Sequence, residues 1–437
     1  MTRQAVPGRE ATALEGTLLA IGGVERTALA MWGLGALFYG FGFFHRVAPS
    51  VMVPELMRDF GVPAAGLGVL SAAYFWAYAV VQVPVGVMVD RVGPKRLLVV
   101  ASLVLAVGSA LFALSGSLVV GGLARALLGA ASGVGYVGTL KLAGSWIPQA
   151  RFGLFAGLTL TAGTLGGILG QVPLAMLVDG IGWRASAVAA ALVALLLATL
   201  LALVLRDRPA AAPAHRRATA APMEDAGGLG ALLRLSLTWQ LFTLTGAIGA
   251  PILTFAGLWG VPWLVQVHGL GRAQAGGIVS LLLITWAAGG PLAGWLSDRL
   301  GRRSPVLLGG SVLVALAWAV AVLVPGLPLV AVMLCLVVAG LASGVMPVAF
   351  ALARDAFGNA RAGTAAGIVN SSVLLAGAAV QIVVGALLDL NWSGQTALGV
   401  RVYGGREWQV AMAILPCCGL LASIVALIVG RSGRHRR

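Results

Sequence analysis

Three cations interrupt long apolar runs of this chain, and their types and spacing set the chemistry available to it. Arg46 follows His45 in Phe43-Phe44-His45-Arg46-Val47-Ala48-Pro49-Ser50, Lys141 lies in Gly138-Thr139-Leu140-Lys141-Leu142-Ala143 ahead of Trp146, and Arg125 precedes Lys141 in the same run. An ionisable group inside an apolar segment is costly and marks function by default. The 14 Asp and Glu residues all fall in tails, loops or the last turn of a run, which leaves no carboxylate at mid-depth to neutralise Arg46 or Lys141. A buried cation without a partner costs several kcal/mol, so a bound anion or cavity water is expected to compensate it. Snorkelling is the plainer alternative: Arg46 lies roughly 28 Å from Arg26 along a straight helix, and Lys141 is near the opposite surface. Beside Arg46, an imidazole with an ordinary pKa of about 6.5 suits a proton switch; the alternative is that His45 simply packs beside Phe44.

Other chemistry is poorly provided for. The four His, at 45, 215, 268 and 435, are scattered, and Cys335, Cys417 and Cys418 sit inside apolar runs without metal-ligand spacing. No disulfide framework, metal, cofactor or paired acid and base is expected, so the chain does not read as an enzyme.

The elements that must position these residues follow from composition. A content of 59% hydrophobic and 10% charged residues, with a mean hydropathy of +0.97, requires a polytopic membrane protein. Twelve apolar runs have the length a spanning helix needs, at about 28–54, 64–89, 97–115, 119–146, 153–177, 185–205, 238–266, 273–296, 304–324, 327–352, 363–388 and 408–430. They lack the period-2 alternation of barrel strands, so the fold class is all-α. Residues 1–27 are expected to be a retained tail, 28–205 and 238–430 two six-helix bundles, 206–237 a Pro- and Arg-bearing linker, and 431–437 a basic tail.

A duplicated module built the two bundles. Gly86-Val87-Met88-Val89-Asp90-Arg91-Val92-Gly93-Pro94-Lys95-Arg96 recurs as Gly294-Trp295-Leu296-Ser297-Asp298-Arg299-Leu300-Gly301-Arg302-Arg303, offset by 208 residues. Gly129-Ala130-Ala131-Ser132-Gly133-Val134 recurs as Gly340-Leu341-Ala342-Ser343-Gly344-Val345, offset by 211. The net charge of +15 invites a nucleic-acid reading, but its placement argues for topology instead. Of the 29 Lys and Arg, 21 are assigned to one membrane face and only Arg58, Arg184, Arg272, Arg401 and Arg406 to the other. By the positive-inside rule both termini and the linker face the cytoplasm, as expected for a bacterial inner membrane, and no nucleic-acid partner is implied.

With the paired Asp90 and Asp298 loops, the six-plus-six spans and Arg125-Ala126-Leu127-Leu128-Gly129, the chain resembles the major facilitator superfamily from about residue 28 to 430. The resemblance implies alternating access, with the loops at Gly86, Asp90, Arg91, Gly93 and at Gly294, Asp298, Arg299, Gly301 as gates. Asp90 would face the positive N-terminus of span eleven near Gly363; the alternative is that both Asp residues only punctuate turns. Arg125 matches a superfamily motif assigned to proton transfer or tethering, and a structural role is favoured. The Tyr39 to Arg46 spacing, with Glu55-Leu56-Met57-Arg58-Asp59-Phe60-Gly61 beyond it, is similar to the anion:cation symporter branch, which carries organic and phosphorylated anions.

The resemblance to phosphate-ester antiporters implies a second cation on span seven, but 238–267 contains no Lys or Arg, and that departure favours a carboxylate or zwitterion over a phosphate ester. Arg46, His45, Tyr39, Lys141, Trp259 and Asn370 form the candidate substrate set. Trp259 and Trp263 either line a cavity or anchor at an interface, and Asn370, Gln171, Gln266 and Gln381 either touch substrate or bond between helices. The function expected is secondary active transport of a small organic anion or amino-acid-like solute by a monomer in the lipid bilayer, with protons as a coupling ion. The alternatives are an anion exchanger or facilitator without protons, and a non-transporting membrane sensor.

Overall fold

A computed structural model describes residues 25–208, 229–397 and 399–434. Most of the linker, 209–228, and the tail 1–24 lie outside the described residues. Eleven helical segments are long and apolar enough to cross a bilayer. The longest, Gln149–Val204, is two spans, because Gly182 (φ 81, ψ 160) breaks it in a backbone region that favours glycine. The chain is therefore an all-α membrane protein of twelve spans in two six-helix halves.

Span one is Arg26–Val47, followed by a 3-10 turn, Ala48–Val51, and a short surface helix, Val53–Phe60. Span two is Ala64–Val92, span three Pro94–Leu114, and span four is split into Leu118–Ser132 and Val134–Trp146. Span five begins as Phe152–Leu169 and continues in the helix Val172–Val204, which also contributes span six after Gly182. In the second half, span seven is Ser236–Thr254, a π-helical turn, Phe255–Trp259, and Gly260–His268. Spans eight and nine are Arg272–Leu300 and Arg303–Leu323, span ten is split into Leu329–Ser343 and Met346–Phe357, and span eleven is Asn359–Leu390. A two-stranded hairpin, Thr396–Ala397 with Val400–Arg401, leads to span twelve, Gly405–Met412 with Ile414–Arg434.

Both sequence repeats have a structural counterpart. The glycine-rich repeat falls on the breaks of spans four and ten, at Gly133 and Gly344. A Cβ at Gly129 would run into the backbone of Tyr74 in span two, and one at Gly340 or Gly344 into span eight, so small residues let these helices touch. The Asp loops turn through Gly93 (φ 89) and Gly301 (φ 60), where an L side chain would be strained.

The halves meet unevenly across the bilayer. Toward the face remote from the Asp90 and Asp298 loops, called here the far face, Gly68 packs on Gln381 and Ile382, Gly385 on Ala64 and Ala65, and Gly276 on Gln171 and Val172. Toward the other, basic face, a Cβ added at Gly86 of span two or at Gly367 of span eleven would meet nothing within 4 Å. Spans two and eleven therefore touch backbone to backbone at the far face, while open space lies beside these two glycines at the basic one.

Candidate functional site

Arg46 lies at the end of span one, 6% exposed, and makes no ion pair among the described residues. Its guanidinium carbon stands 4.0 Å from the Phe43 ring centre and 5.1 Å from that of Tyr78. Tyr39 and Phe43 precede it on the same helical face, and Tyr74 and Tyr78 are one turn apart on span two. The Tyr74 hydroxyl donates to the Gly42 carbonyl at 2.8 Å, so its oxygen keeps lone pairs for the facing guanidinium. Tyr39 also meets Phe43 at 5.0 Å and Tyr136 of span four at 5.5 Å between ring centres. Three of the chain's five tyrosines, Tyr39, Tyr74 and Tyr78, thus face this cation, and a fourth, Tyr136, packs on Tyr39. The three supply π faces and hydroxyls, which stabilise a guanidinium without cancelling its charge. Its Nε is buried with no hydrogen-bond partner among the described residues. Buried and caged, Arg46 does not snorkel.

The remaining residues of the candidate set are dispersed. His45 is turned away around the helix from Arg46: its ring lies edge-on to Phe41 and Phe44, and Nε2 is 3.5 Å from the Ser109 hydroxyl of span three. Arg125 Nη1 donates to the His45 carbonyl at 2.5 Å, and its guanidinium lies 4.8 Å from the Tyr74 ring centre. A cavity of about 20 Å³ borders His45, Ser109, Arg125 and Ser186, enough for the centre of one water. Arg125 therefore ties spans one, two and four together inside the first half.

Lys141 differs from the sequence expectation that no carboxylate remains for it. Its Nζ donates to Asp90 at 2.6 Å, because a flexible four-carbon stem one to two turns from the surface reaches the end of span two. Trp259 is 1% exposed and donates from Nε1 to the Gln381 carbonyl at 2.9 Å, edge-on to Trp408, while Trp263 packs edge-on against Phe255. Asn370 is exposed on span eleven.

Three glutamines bond between elements. Gln266 accepts from the Tyr403 amide and the Trp408 indole. Gln171 donates at 3.2 Å to the Ser50 hydroxyl just beyond Arg46, and at 3.0 Å to the Ala256 carbonyl across the half interface. Gln381 donates to the Leu253 carbonyl at 2.8 Å. Both span-seven acceptors lie in or beside the π turn, whose altered bonding frees backbone carbonyls. Gly257 in that turn faces Gln381, Phe75 and the Arg46 carbonyl, bringing the second half onto the Arg46 site.

At the basic face each loop is bonded within its own half: Asp90 to Lys141, and Arg303 to Asp355 at 2.6 Å. Arg91 and Asp298 are exposed, and Arg299 stacks over Trp295. The side chains of the first turn of span eleven, near Gly363, lie outside the described residues, so the expected partner of Asp90 is not seen. The sequence reading missed Tyr74, Tyr78 and Tyr136; the usable signal was the rarity of tyrosine together with the i, i+4 pair on span two.

The sequence profile of the Major Facilitator Superfamily matches residues 32–381. A probable sulfoacetate transporter, SauU, of Cupriavidus necator is 26% identical over 291 residues, 64% of this chain and 67% of that protein. A probable hexose phosphate transport protein of Chlamydia trachomatis is 24% identical over 297 residues, 62% of this chain and 65% of that one. The chain thus aligns with about two thirds of the length of these relatives. A crystal structure of a bacterial homologue of the human lysosomal transporter Spinster superposes with a TM-score of 0.77 at 18% identity, covering 94% of this chain and 98% of that chain.

Proposed function

The chain belongs to the Major Facilitator Superfamily, and from that membership we propose that it carries a small organic anion with a single negative head group, recognised by Arg46. One observation carries the reading: a caged guanidinium beside the meeting of the halves, with no carboxylate partner among the described residues. The relatives named for sulfoacetate and hexose phosphate support an anionic solute. A single cation with a planar fork suits a carboxylate or sulfonate. Lys141 is occupied by Asp90 and Arg125 by the His45 carbonyl, so neither adds a second charge to the site. Basic loops on one face support a bacterial inner-membrane orientation with that face cytoplasmic.

Coupling follows the same geometry. No Asp or Glu lies at the Arg46 cage among the described residues, and His45 faces span three, so exchange or facilitated diffusion of the anion is favoured over a His45 proton switch. Thermal-shift screening of the purified protein against carboxylates, sulfonates, phosphate esters, amino acids and neutral sugars tests the reading, because a ligand bound to the native state raises its melting temperature. Monoanions are expected to give shifts that Arg46→Gln removes. Shifts from neutral sugars alone overturn the proposal.

A further inference from the structure

Asp179 and Asp389 are 210 residues apart, inside the offset range set by the two sequence repeats, and neither belongs to the duplicated Asp90 and Asp298 loops. They occupy matching places: Asp179 at the end of span five and Asp389 at the end of span eleven, both at the far face. Asp389 accepts from the backbone amides of Ala64 at 3.2 Å and Ala65 at 2.8 Å, the first two residues of span two in the other half. Those amides are orphan donors at the positive end of a helix, where a carboxylate is held best. Behind it, the Tyr403 hydroxyl donates at 2.7 Å and Arg401 at 3.1 Å. Burial and then the Asp389 bond push the Tyr403 phenol up, so it remains a donor. Asp179 stands 3.4 Å from Arg272, the first residue of span eight in the other half, and Arg272 also bonds Glu55 at 2.5 Å.

Spans two and eight are repeat partners, as are five and eleven. Each far-face carboxylate ends one of the second pair and meets the first turn of one of the first pair across the halves. Asp90 and Asp298 end spans two and eight at the basic face, where open space lies beside Gly86 and Gly367 and Asp90 is bonded within its own half. We propose that Asp179 and Asp389 form the far-face gate, the duplicated counterpart of the basic-face Asp loops, and that transport makes and breaks the two sets in alternation. The proposal rests on the alternating-access part of the functional reading, but not on the solute being an anion.

The test is labelling of a single cysteine. Ser71 is buried in span two, one turn past Gly68, where that span packs on span eleven. In a background with Cys335, Cys417 and Cys418 replaced by Ser, Ser71→Cys is exposed to a membrane-impermeant thiol reagent from the far-face side. Asp389→Asn is expected to raise the labelling rate about tenfold, the population change that ~1.4 kcal/mol produces. Adding Asp90→Asn, which weakens the opposite gate, is expected to bring the rate back toward that of the parent. An unchanged rate in Asp389→Asn overturns the proposal. So does a double variant labelled as fast as Asp389→Asn, since mere loosening of the fold is not repaired from the other face. If Asp389→Asn fails to accumulate, Tyr403→Phe and Arg401→Gln loosen the same carboxylate without removing it; a rise in rate from both supports the gate and no rise from either overturns it. Labelling needs no solute, so this result reads out even where every anion fails to bind.

Discussion

Spans one and seven hold equivalent positions in the two halves, yet only span one brings a charge to their meeting point. Span one ends in Arg46 with Tyr39 and Phe43 on the same face, and it draws in Tyr74, Tyr78 and Tyr136. Span seven carries no Lys or Arg, is almost wholly buried, and contributes a π turn pinned by Gln171 and Gln381. Duplication preserved the frame, meaning the glycine contacts between spans two and four and between eight and ten, while the side chains at the centre diverged. In this reading the first half recognises the solute and the second half supplies the wall that closes on it.

The sharpest way to break that division is at Arg46. Truncating a buried, hydrogen-bonded charge partner costs about 2–5 kcal/mol, so Arg46→Gln is expected to weaken anion binding on the order of 100-fold or more, read as loss of the melting shift and of counterflow in proteoliposomes. Arg46→Lys keeps the charge and loses the fork, and binding about tenfold weaker than the parent is expected. If Arg46→Gln retains full counterflow, recognition does not reside in span one.

A second test addresses the shared frame. Gly129→Ala would force a methyl into the Tyr74 backbone, and Gly340→Ala one into span eight, each expected to destabilise by about 1–3 kcal/mol. Gly86→Ala meets nothing within 4 Å and should stay within ~1 kcal/mol of neutral. Melting temperatures that fall for Gly129 and not for Gly340 would show that the halves do not share this packing.

These cases also mark how far the sequence could be read. Lipid demands long apolar helices and surface cations on one side, so the twelve spans and the repeat were legible one residue at a time. The Gly129 and Gly340 repeat was visible too, although its meaning needed the partner helices. Partnerships between distant spans were not legible. Tyr74 reaches Arg46 across 28 positions, Lys141 reaches Asp90 across 51, and Asp389 reaches Ala65 across 324. The sequence placed Lys141 in the membrane and Asp90 in a loop, and depth alone gave no sign that a lysine stem would bridge them. The π turn was hidden for another reason, since apolar composition continues straight through it, whereas the break at Gly182 falls in the gap already expected between the runs 153–177 and 185–205.

Within the cage, smaller effects should follow the hydroxyls. Tyr78→Phe removes an oxygen facing the guanidinium and leaves the ring, so anion affinity is expected to fall about three- to tenfold, as for one hydrogen bond to a charged group. His45→Gln should change counterflow less than about twofold, within the scatter of a substitution outside the site, and leave any acceleration by a pH gradient in place. Abolition of that acceleration would return His45 to the coupling path.

The smallest effect lies at the far face, on the surface helix that follows span one. Burial by itself would raise the Asp59 carboxyl, but the Trp183 indole at 2.9 Å and Arg58 at 3.1 Å, with Arg184 at 3.6 Å, more than offset it and hold it below its ordinary 3.8. A carboxyl depressed in the folded state binds its proton more weakly there than in the unfolded chain. Its contribution is therefore present above the unfolded value and is lost as pH falls through the folded one. Asp59→Asn should lower the melting temperature slightly at neutral pH, and the gap to the parent should close as pH falls below about 4. The arginines are exposed, so added salt should shrink the gap as well. A gap that persists unchanged to acid pH would show that the neutral Trp183 hydrogen bond, and not the charge, ties this helix to span six.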